Sequence, residues 1–302
     1  MSRARGLAPA AGGGDAGWIG AAEEIGAAQV REAARRIGNP REARWMAEAA
    51  SRAPDPTRTL AAMVERRLNG EPLQYILGSW GFRRLELAVD RRVLIPRPET
   101  EQLVDAALEM LDRTGRPEAT VVDLGTGSGA IAVSIASERP RTRVWATDLS
   151  DHALEVARSN DPTGTIRFLA GDWWEALPEA LRGDVDLVVS NPPYVAASEA
   201  EALDPEVRDW EPAMALIAGD TGTEAIETVV GGARSWLRPG GGLVVETAPH
   251  QAPGMAALAS RLGYVDVEVR TDLAGRDRML LARSAAACRP RLQGATARLS
   301  WR

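Results

Sequence analysis

The sequence predicts an α/β protein, a doubly wound, mainly parallel sheet preceded by a small helical bundle. Three observations carry that reading. From residue 119 onward, apolar strand-like runs alternate with helical segments, the order that builds a parallel sheet with helices on both faces. The last two runs, 264–269 and 278–282, are joined by a loop alone, so they are expected to pair antiparallel, because a parallel pair needs a longer crossover. Residues 18–70, in contrast, have helical periodicity without strand-like alternation.

Taken in order, residues 1–17 (MSRARGLAPAAGGGDAG) lack an apolar stretch and read as a flexible lead rather than a signal peptide. In the helical domain (18–80), Ile19, Ile25, Val30 and Ile37 recur at helical spacing until Gly38-Asn39-Pro40 closes the first helix. A second helix is expected over 41–52. Thr57 can cap a third, with Leu60, Met63, Val64 and Leu68 on one face and Gly70 just past its end. Leu85, Leu87 and Val89 alternate with Arg84, Glu86 and Ala88, and Asp90-Arg91 can turn the chain into RVLIP. This predicts a β-hairpin linker within 81–98. Thr100 can then cap a helix carrying Leu103, Val104, Ala107, Leu108 and Leu111, which opens the main domain, 99–283.

Strands are expected at 120–124, 143–147, 165–169, 185–190, 242–247, 264–269 and 278–282, with helices near 128–139, 151–160, 221–237 and 251–262. Residues 284–302 hold four arginines, no acidic residue and no periodicity, so they are expected not to pack.

Composition narrows the function. All 36 basic residues are arginine, yet the net charge is −6 with a pI near 5.3, which argues against a surface built to grip phosphate backbones. A single cysteine, Cys288, allows no internal disulfide and fits a reducing cytoplasm. Only two histidines, His152 and His250, accompany it, so no metal site is expected. No run approaches the roughly 18 apolar residues of a membrane span.

The chemistry-bearing residues fall at predicted strand ends. VVDLGTGSGAIAVSIA runs from a strand through Gly125, Thr126, Gly127, Ser128 and Gly129 into a helix, where small residues let a ligand approach the backbone. Gly125-x-Gly127-x-x-Ala130 also satisfies the dinucleotide fingerprint, so the glycines alone do not separate a nicotinamide cofactor from S-adenosylmethionine. Asp148 ends the next strand, where a carboxylate can take both ribose hydroxyls. Asp172 follows the third, where it can accept from an adenine amino group while Trp173 packs on the ring. Asp123, at the head of the glycine loop, can hold loop amides or a ligand ammonium. Singly, each aspartate could be a helix cap or turn former; together, at consecutive strand ends, they read as a binding crevice.

Asn191-Pro192-Pro193-Tyr194 ends the fourth strand on the same edge. An amide or aromatic amine is a poor nucleophile because its lone pair is delocalised. Two acceptors taking its two N–H bonds would favour a pyramidal nitrogen with that pair free. The Asn191 side-chain oxygen and the Pro192 carbonyl can be those acceptors, held by the restricted backbone of the prolines, with Tyr194 against the planar group. Such a site works by orientation and by acceptors aimed at developing positive charge.

Over about residues 15 to 283 the chain resembles the protein-(glutamine-N5) methyltransferases that modify class 1 peptide-chain release factors. GEPLQYILG (70–78), LIPRPETE (94–101), DLGTGSGAIA (123–132), SNPPY (190–194) and VRDWEPAMALIAGDTG (207–222) stand in the family's order and spacing. NPPY alone is shared with adenine-N6 and some guanine-N2 nucleic-acid methyltransferases, so an adenine-N6 enzyme is the alternative, as is a non-catalytic protein of this fold. LIPRPETE with the helical front domain is the specific part. The resemblance implies a Rossmann-like class I S-adenosylmethionine-dependent methyltransferase with a seven-stranded mixed sheet whose last strand is antiparallel. It implies a cytoplasmic enzyme that methylates the glutamine of the release factor's Gly-Gly-Gln loop, without metal, membrane or direct nucleic-acid substrate. It places Gly125 to Gly129, Asp148, Trp173 and Asn191 at the cofactor, Asn191 to Tyr194 at the glutamine, and the front domain on the release factor. Arg97, Glu99 or Glu101 are expected near the substrate, and the Trp210-Glu211-Pro212 loop is a candidate clasp. One departure is internal: the family usually has Glu-x-Gly after its fifth strand, and here Ala248 follows Glu246-Thr247.

Overall fold

The computed structural model describes residues 25–286. The expected flexible lead, Trp18 and Ile19 of the first expected helix, and the arginine-rich tail from 287, Cys288 included, lie outside the described residues.

Four helices build the front domain, α1 (Ala27–Ile37), α2 (Pro40–Ala50), α3 (Pro56–Leu68) and a short α4 (Leu73–Leu77) that periodicity did not separate from α3. Gly38 ends α1 in the left-handed region at φ 72°, returning its N–H to the Ala34 carbonyl. Asn39 then accepts from the amides of Arg41 and Glu42 to start α2. The cap of α3 is Asp55, not Thr57: Asp55 accepts from the Arg58 amide, and with Pro56 in the first helical position Thr57 falls inside the first turn. Met46, Leu60, Val64, Leu73 and Ile76 close the small core.

The hairpin exists, with different strands from those expected. β1 (Ser79–Phe82) pairs antiparallel with β2 (Leu85–Ala88), turning at Arg83-Arg84, so it occupies 79–88. Arg83 takes φ 54°, a conformation uncommon for any residue with a side chain, and is fixed there by bonds to three acids. Its amide donates to Glu101, and its guanidinium to Asp105 and Glu138. RVLIP is not a strand, because other elements satisfy its backbone: the Val93 carbonyl accepts from Tyr75 Oη and the Ile95 amide donates to Glu211. Val93 and Ile95 are buried with Tyr75, Trp80 and Val156 in a cluster that joins the two domains. Trp45 of the bundle meets Trp80 of the hairpin edge to face, 6.1 Å between centroids.

The main domain opens with α5 (Pro98–Thr114). Its N-cap position is Arg97; Thr100 sits in the first turn with its hydroxyl turned to the interior. Then follow β3 (Thr120–Leu124), α6 (Ala130–Glu138), β4 (Arg143–Asp148), α7 (Asp151–Ser159), β5 (Arg167–Ala170) and β6 (Val185–Ser190). A small parallel pair, β7 (Val195–Ala196) and β8 (Ile217–Gly219), brackets the long loop after β6. The chain finishes with α8 (Glu224–Trp236), β9 (Leu237–Glu246), α9 (Ala252–Arg261), β10 (Tyr264–Thr271) and β11 (Asp277–Ser284). Ser284, assigned by sequence to the tail, is buried at the end of β11.

The sheet order is β10-β11-β9-β6-β3-β4-β5. β11 alone runs against its neighbours, as expected; β3, β4, β5, β6 and β9 are parallel. Both faces are covered, so alternate residues of one strand feed different cores: Leu187 and Val189 face α5 and α6, Val185 and Val188 face α8 and α9. The order of strand addition reverses at β3, and the crevice between β3 and β6 is the topological switch point where such sheets hold ligands.

One asparagine joins the parts. Asn160, buried after α7, receives the Ala88 amide on Oδ1 at 2.7 Å and donates Nδ2 to the carbonyls of Ala88 and, in the glycine loop, Ser128. It completes the open edge of β2 as another strand would. Asn160→Ala leaves these backbone groups without their partners in a dry site. The expected loss is about 2–3 kcal/mol of stability. Urea unfolding of the variant checks it, and a change within about 0.5 kcal/mol would show that the joint is not needed.

Candidate active site

Parallel register sets the site. Leu124 lies opposite Thr147 on β4 and Ser190 on β6, so the next residues, Gly125, Asp148 and Asn191, emerge side by side. Cross-strand bonds hold the ends together. Ser190 Oγ donates to the Leu124 carbonyl, the Thr126 amide to the Thr147 carbonyl, and the Gly171 amide to the Asp148 carbonyl.

These ends surround a cleft enclosing about 1030 Å³, its open mouth included. Of the residues singled out by sequence, Gly125, Thr126, Gly127, Ser128, Asp148, Asp172, Trp173, Asn191 and Pro193 line it. Gly125 and Gly127 hold φ 69° and 56°, which the turn requires and which bars a side chain there, and the Trp173 ring lies in van der Waals contact over Gly125. Trp173 itself has φ 42°, a conformation uncommon for a large side chain, and stays there against this loop.

Other expected residues are not on the wall. Gly129 lets α6 approach α7: a Cβ there would meet Ala157 at 3.2 Å. Asp123 is fully buried beneath the loop, its Oδ2 accepting from Thr126 Oγ1 and the Ala132 amide. It holds the Thr126 hydroxyl and an amide of the first turn of α6, and its Oδ1 has no partner among the described residues. Pro192 is buried and Tyr194 packs on the core under α8 and α9, its ring centroid 6.0 Å from the Arg278 guanidinium. Neither lines the cleft. Arg97 does, ion-paired to buried Glu211, whereas Glu99 pairs with Arg276 and Glu101 turns away to hold Arg83. The loop after β6 thus closes one wall: Glu211 binds Arg97 and the Ile95 amide, Trp210 lies under the Arg91 guanidinium, and Pro212, Met214 and Ala215 face the cleft.

The donor set suits a nucleoside rather than a phosphate. Two carboxylates, Asp148 and Asp172, stand beside apolar walls from Val93, Pro96, Leu149 and Trp173. Asp148 accepts from the Gly127 and Ser150 amides at 2.8 and 2.9 Å; burial raises it from the usual aspartate range, opposed by these amides. A largely apolar cleft with a small-residue loop for its floor and carboxylate acceptors at its edge fits the ring and the hydroxyl and amino donors of an adenosyl group.

Comparison with known proteins gives the same direction. The family model described as "Methyltransferase small domain" matches residues 101–204, and "PrmC N-terminal domain" matches 41–78. A release factor glutamine methyltransferase from Burkholderia pseudomallei is 47% identical over 72% of this chain and 77% of its own. One from Xylella fastidiosa is 44% identical over 75% and 82%.

The chain belongs to the release factor glutamine methyltransferase family. It is therefore a methyltransferase of the class I fold, and the alternative of a non-catalytic protein falls away.

Within that family, the departure at Ala248 is local. Ala248 needs no positive φ, and its amide is closed off by Gln251 Oε1, whose Nε2 donates to the carbonyls of Tyr194 and Gly222. Sequence reasoning passed over Thr100 and Glu246. Thr100 lines the cleft; Glu246 is buried behind it and accepts its hydroxyl. The available signal was a strand-end carboxylate lacking any helix to cap.

Burial pushes Asp123 up to about 7 from 3.8, against the bonds from Thr126 and Ala132. The folded state therefore holds a proton that the unfolded chain has released, and this contribution to stability is full below about pH 4 and lost as pH rises through about 7. Between pH 5 and 8 the loss is roughly 2–3 kcal/mol. Urea titrations at both pH values should show a smaller drop for Asp123→Asn than for the parent; equal drops would show that Asp123 does not titrate there.

Proposed function

We propose that this protein transfers the methyl group of S-adenosylmethionine to the side-chain amide nitrogen of the glutamine in the Gly-Gly-Gln loop of class 1 release factors, in the cytoplasm. The observation that carries the reading is one cleft that joins Asn191 and Pro193 to the glycine loop, Asp148, Asp172 and Trp173, in a chain of this family.

Asp148 would hold the ribose hydroxyls and Asp172 the adenine amino group, with Trp173 against the ring. Gly125 to Ser128 give the methionine moiety close approach to the loop backbone. Bound S-adenosylmethionine supplies a methyl group on cationic sulfur, an electrophile that needs no further activation. The remaining task is to make an amide nitrogen nucleophilic. Asn191 Oδ1 would take one of its N–H bonds and the backbone carbonyl of Pro192, a residue otherwise buried off the cleft wall, the other, which favours the pyramidal form whose lone pair is free. As the N–C bond forms and the S–C bond breaks, leaving neutral S-adenosylhomocysteine, positive charge passes to nitrogen and both hydrogen bonds strengthen, so the acceptors act most in the transition state. One N–H proton is then released to water. Tyr194, with its phenol pushed up to about 12, stays neutral and supports the turn from behind. The helical front domain would hold part of the release factor, tied to the loop after β6 by Arg67, which pairs with Glu42 and Glu206 at 2.6 Å each.

Radiolabelled methyl should pass to a purified release factor and not to one whose loop glutamine is replaced by alanine. Equal labelling of that mutant, or labelling of DNA in its place, would sink the proposal. Asn191→Ala should lower kcat about 100-fold or more while calorimetry shows S-adenosylmethionine binding within about tenfold of the parent.

A further inference from the structure

We propose that Thr100 and Glu246 are positioning residues that fix which end of the Asn191 amide meets the substrate; this rests on the reading that Asn191 holds the glutamine amide. The three groups come from three elements: Glu246 ends β9, Thr100 lies in the first turn of α5, and Asn191 follows β6. Thr100 Oγ1 donates to Glu246 Oε2 at 2.8 Å, and Asn191 Nδ2 donates to Thr100 Oγ1 at 3.1 Å. Glu246 and Thr100 are only 2% and 4% exposed, so water does not compete for these bonds.

The direction of this chain follows from donor counting. A hydroxyl has one proton, and an ionised carboxylate only accepts. Having given its proton to Glu246, Thr100 offers Asn191 nothing but lone pairs. The amide must turn its NH2 toward Thr100, which leaves Oδ1 for the cleft. A substrate NH2 needs that polarity; the reverse would set N–H against N–H and leave both unpaired. An asparagine free to flip would present the wrong end part of the time.

Protonation of Glu246 would release the constraint, because a carboxylic acid can donate to Thr100 and Thr100 can then donate to Asn191 Oδ1. Burial pushes Glu246 up to about 7, opposed by the Thr100 bond and by Arg278 and Arg97. The charged and titratable groups facing it are Arg278 from β11, Arg97 and Glu99 at the start of α5, and Tyr194 after β6. Glu246→Gln removes this proton site and leaves those neighbours in place.

The test measures methyl transfer to a full-length release factor from about pH 6 to 9, with S-adenosylmethionine binding by calorimetry as the check on folding. Thr100→Val should lower kcat about 10- to 100-fold with both KM values within about threefold, and Thr100→Ser should restore kcat to within about threefold of the parent. The parent's kcat should fall toward acid with a midpoint near 7, and Glu246→Gln should lose that limb while staying below the parent's plateau. Thr100→Val within about twofold of the parent, beside an inactive Asn191→Ala, overturns the positioning role alone. Full activity of Asn191→Ala overturns the reading beneath it. If Thr100→Val fails to bind S-adenosylmethionine, the decision passes to Glu246→Gln, and an acid limb that persists there overturns the role.

Discussion

The parallel pairing of β3 with β4 on one side and β6 on the other is the constraint from which the site follows. Strands in a sheet lie about 4.8 Å apart. Parallel strands in matching register therefore bring their carboxyl ends to one edge, a few ångströms from each other. Leu124, Thr147 and Ser190 are register partners, so Gly125, Asp148 and Asn191 need no further device to converge. β9 adds Glu246 to the same edge through its pairing with β6. Residues more than 120 positions apart become neighbours because four apolar runs pair in one direction.

What the sheet leaves open, side chains close. Asn160 seals the exposed edge of β2 and binds the glycine loop, so the hairpin and the loop share one joint. Glu211, brought back by the long loop after β6, takes Arg97 and the Ile95 amide and so builds a wall from two segments of irregular backbone. Arg67 links the helical bundle to that loop. The Glu211 contacts thus stand in for the secondary structure that the segment between β2 and α5 lacks, while Asn160 and Arg67 tie the cleft to the hairpin and the front domain.

The sheet was legible because strands buried on both faces are written as unbroken apolar runs, and 120–124 and 185–190 end where the sequence puts them. The hairpin was not, for a definite reason. Its turn is Arg83-Arg84, without the glycine or asparagine that marks such turns, and Asp90-Arg91 looked the better corner. At the site, sequence found the residues of the strand ends and missed those that depend on tertiary contact. Thr100 looked like a cap because it precedes a helical pattern, but its hydroxyl is used across the interior. Gly129 looked like a cofactor glycine, while its space is taken by α7. Asp123 and Asp148 are one kind of residue on neighbouring strands, but Asp123 lies opposite Ala146, two positions short of Asp148, so it stays under the loop while Asp148 reaches the cleft.

The site's buried carboxylate also bears on what kind of catalyst this is. Glu246, pushed up to about 7, has the affinity of a general base at neutral pH. Its place argues for a different use. It does not line the cleft, its Oε2 accepts from Thr100, and the residue that Thr100 in turn holds at the cleft is the uncharged Asn191. An amide nitrogen loses its proton readily only after the methyl group has arrived, so a base acting beforehand would gain little. Acceptors held in fixed orientation act where charge develops, during bond formation. A carboxylate one hydroxyl removed from the acting group can set that orientation without placing a negative charge against the substrate.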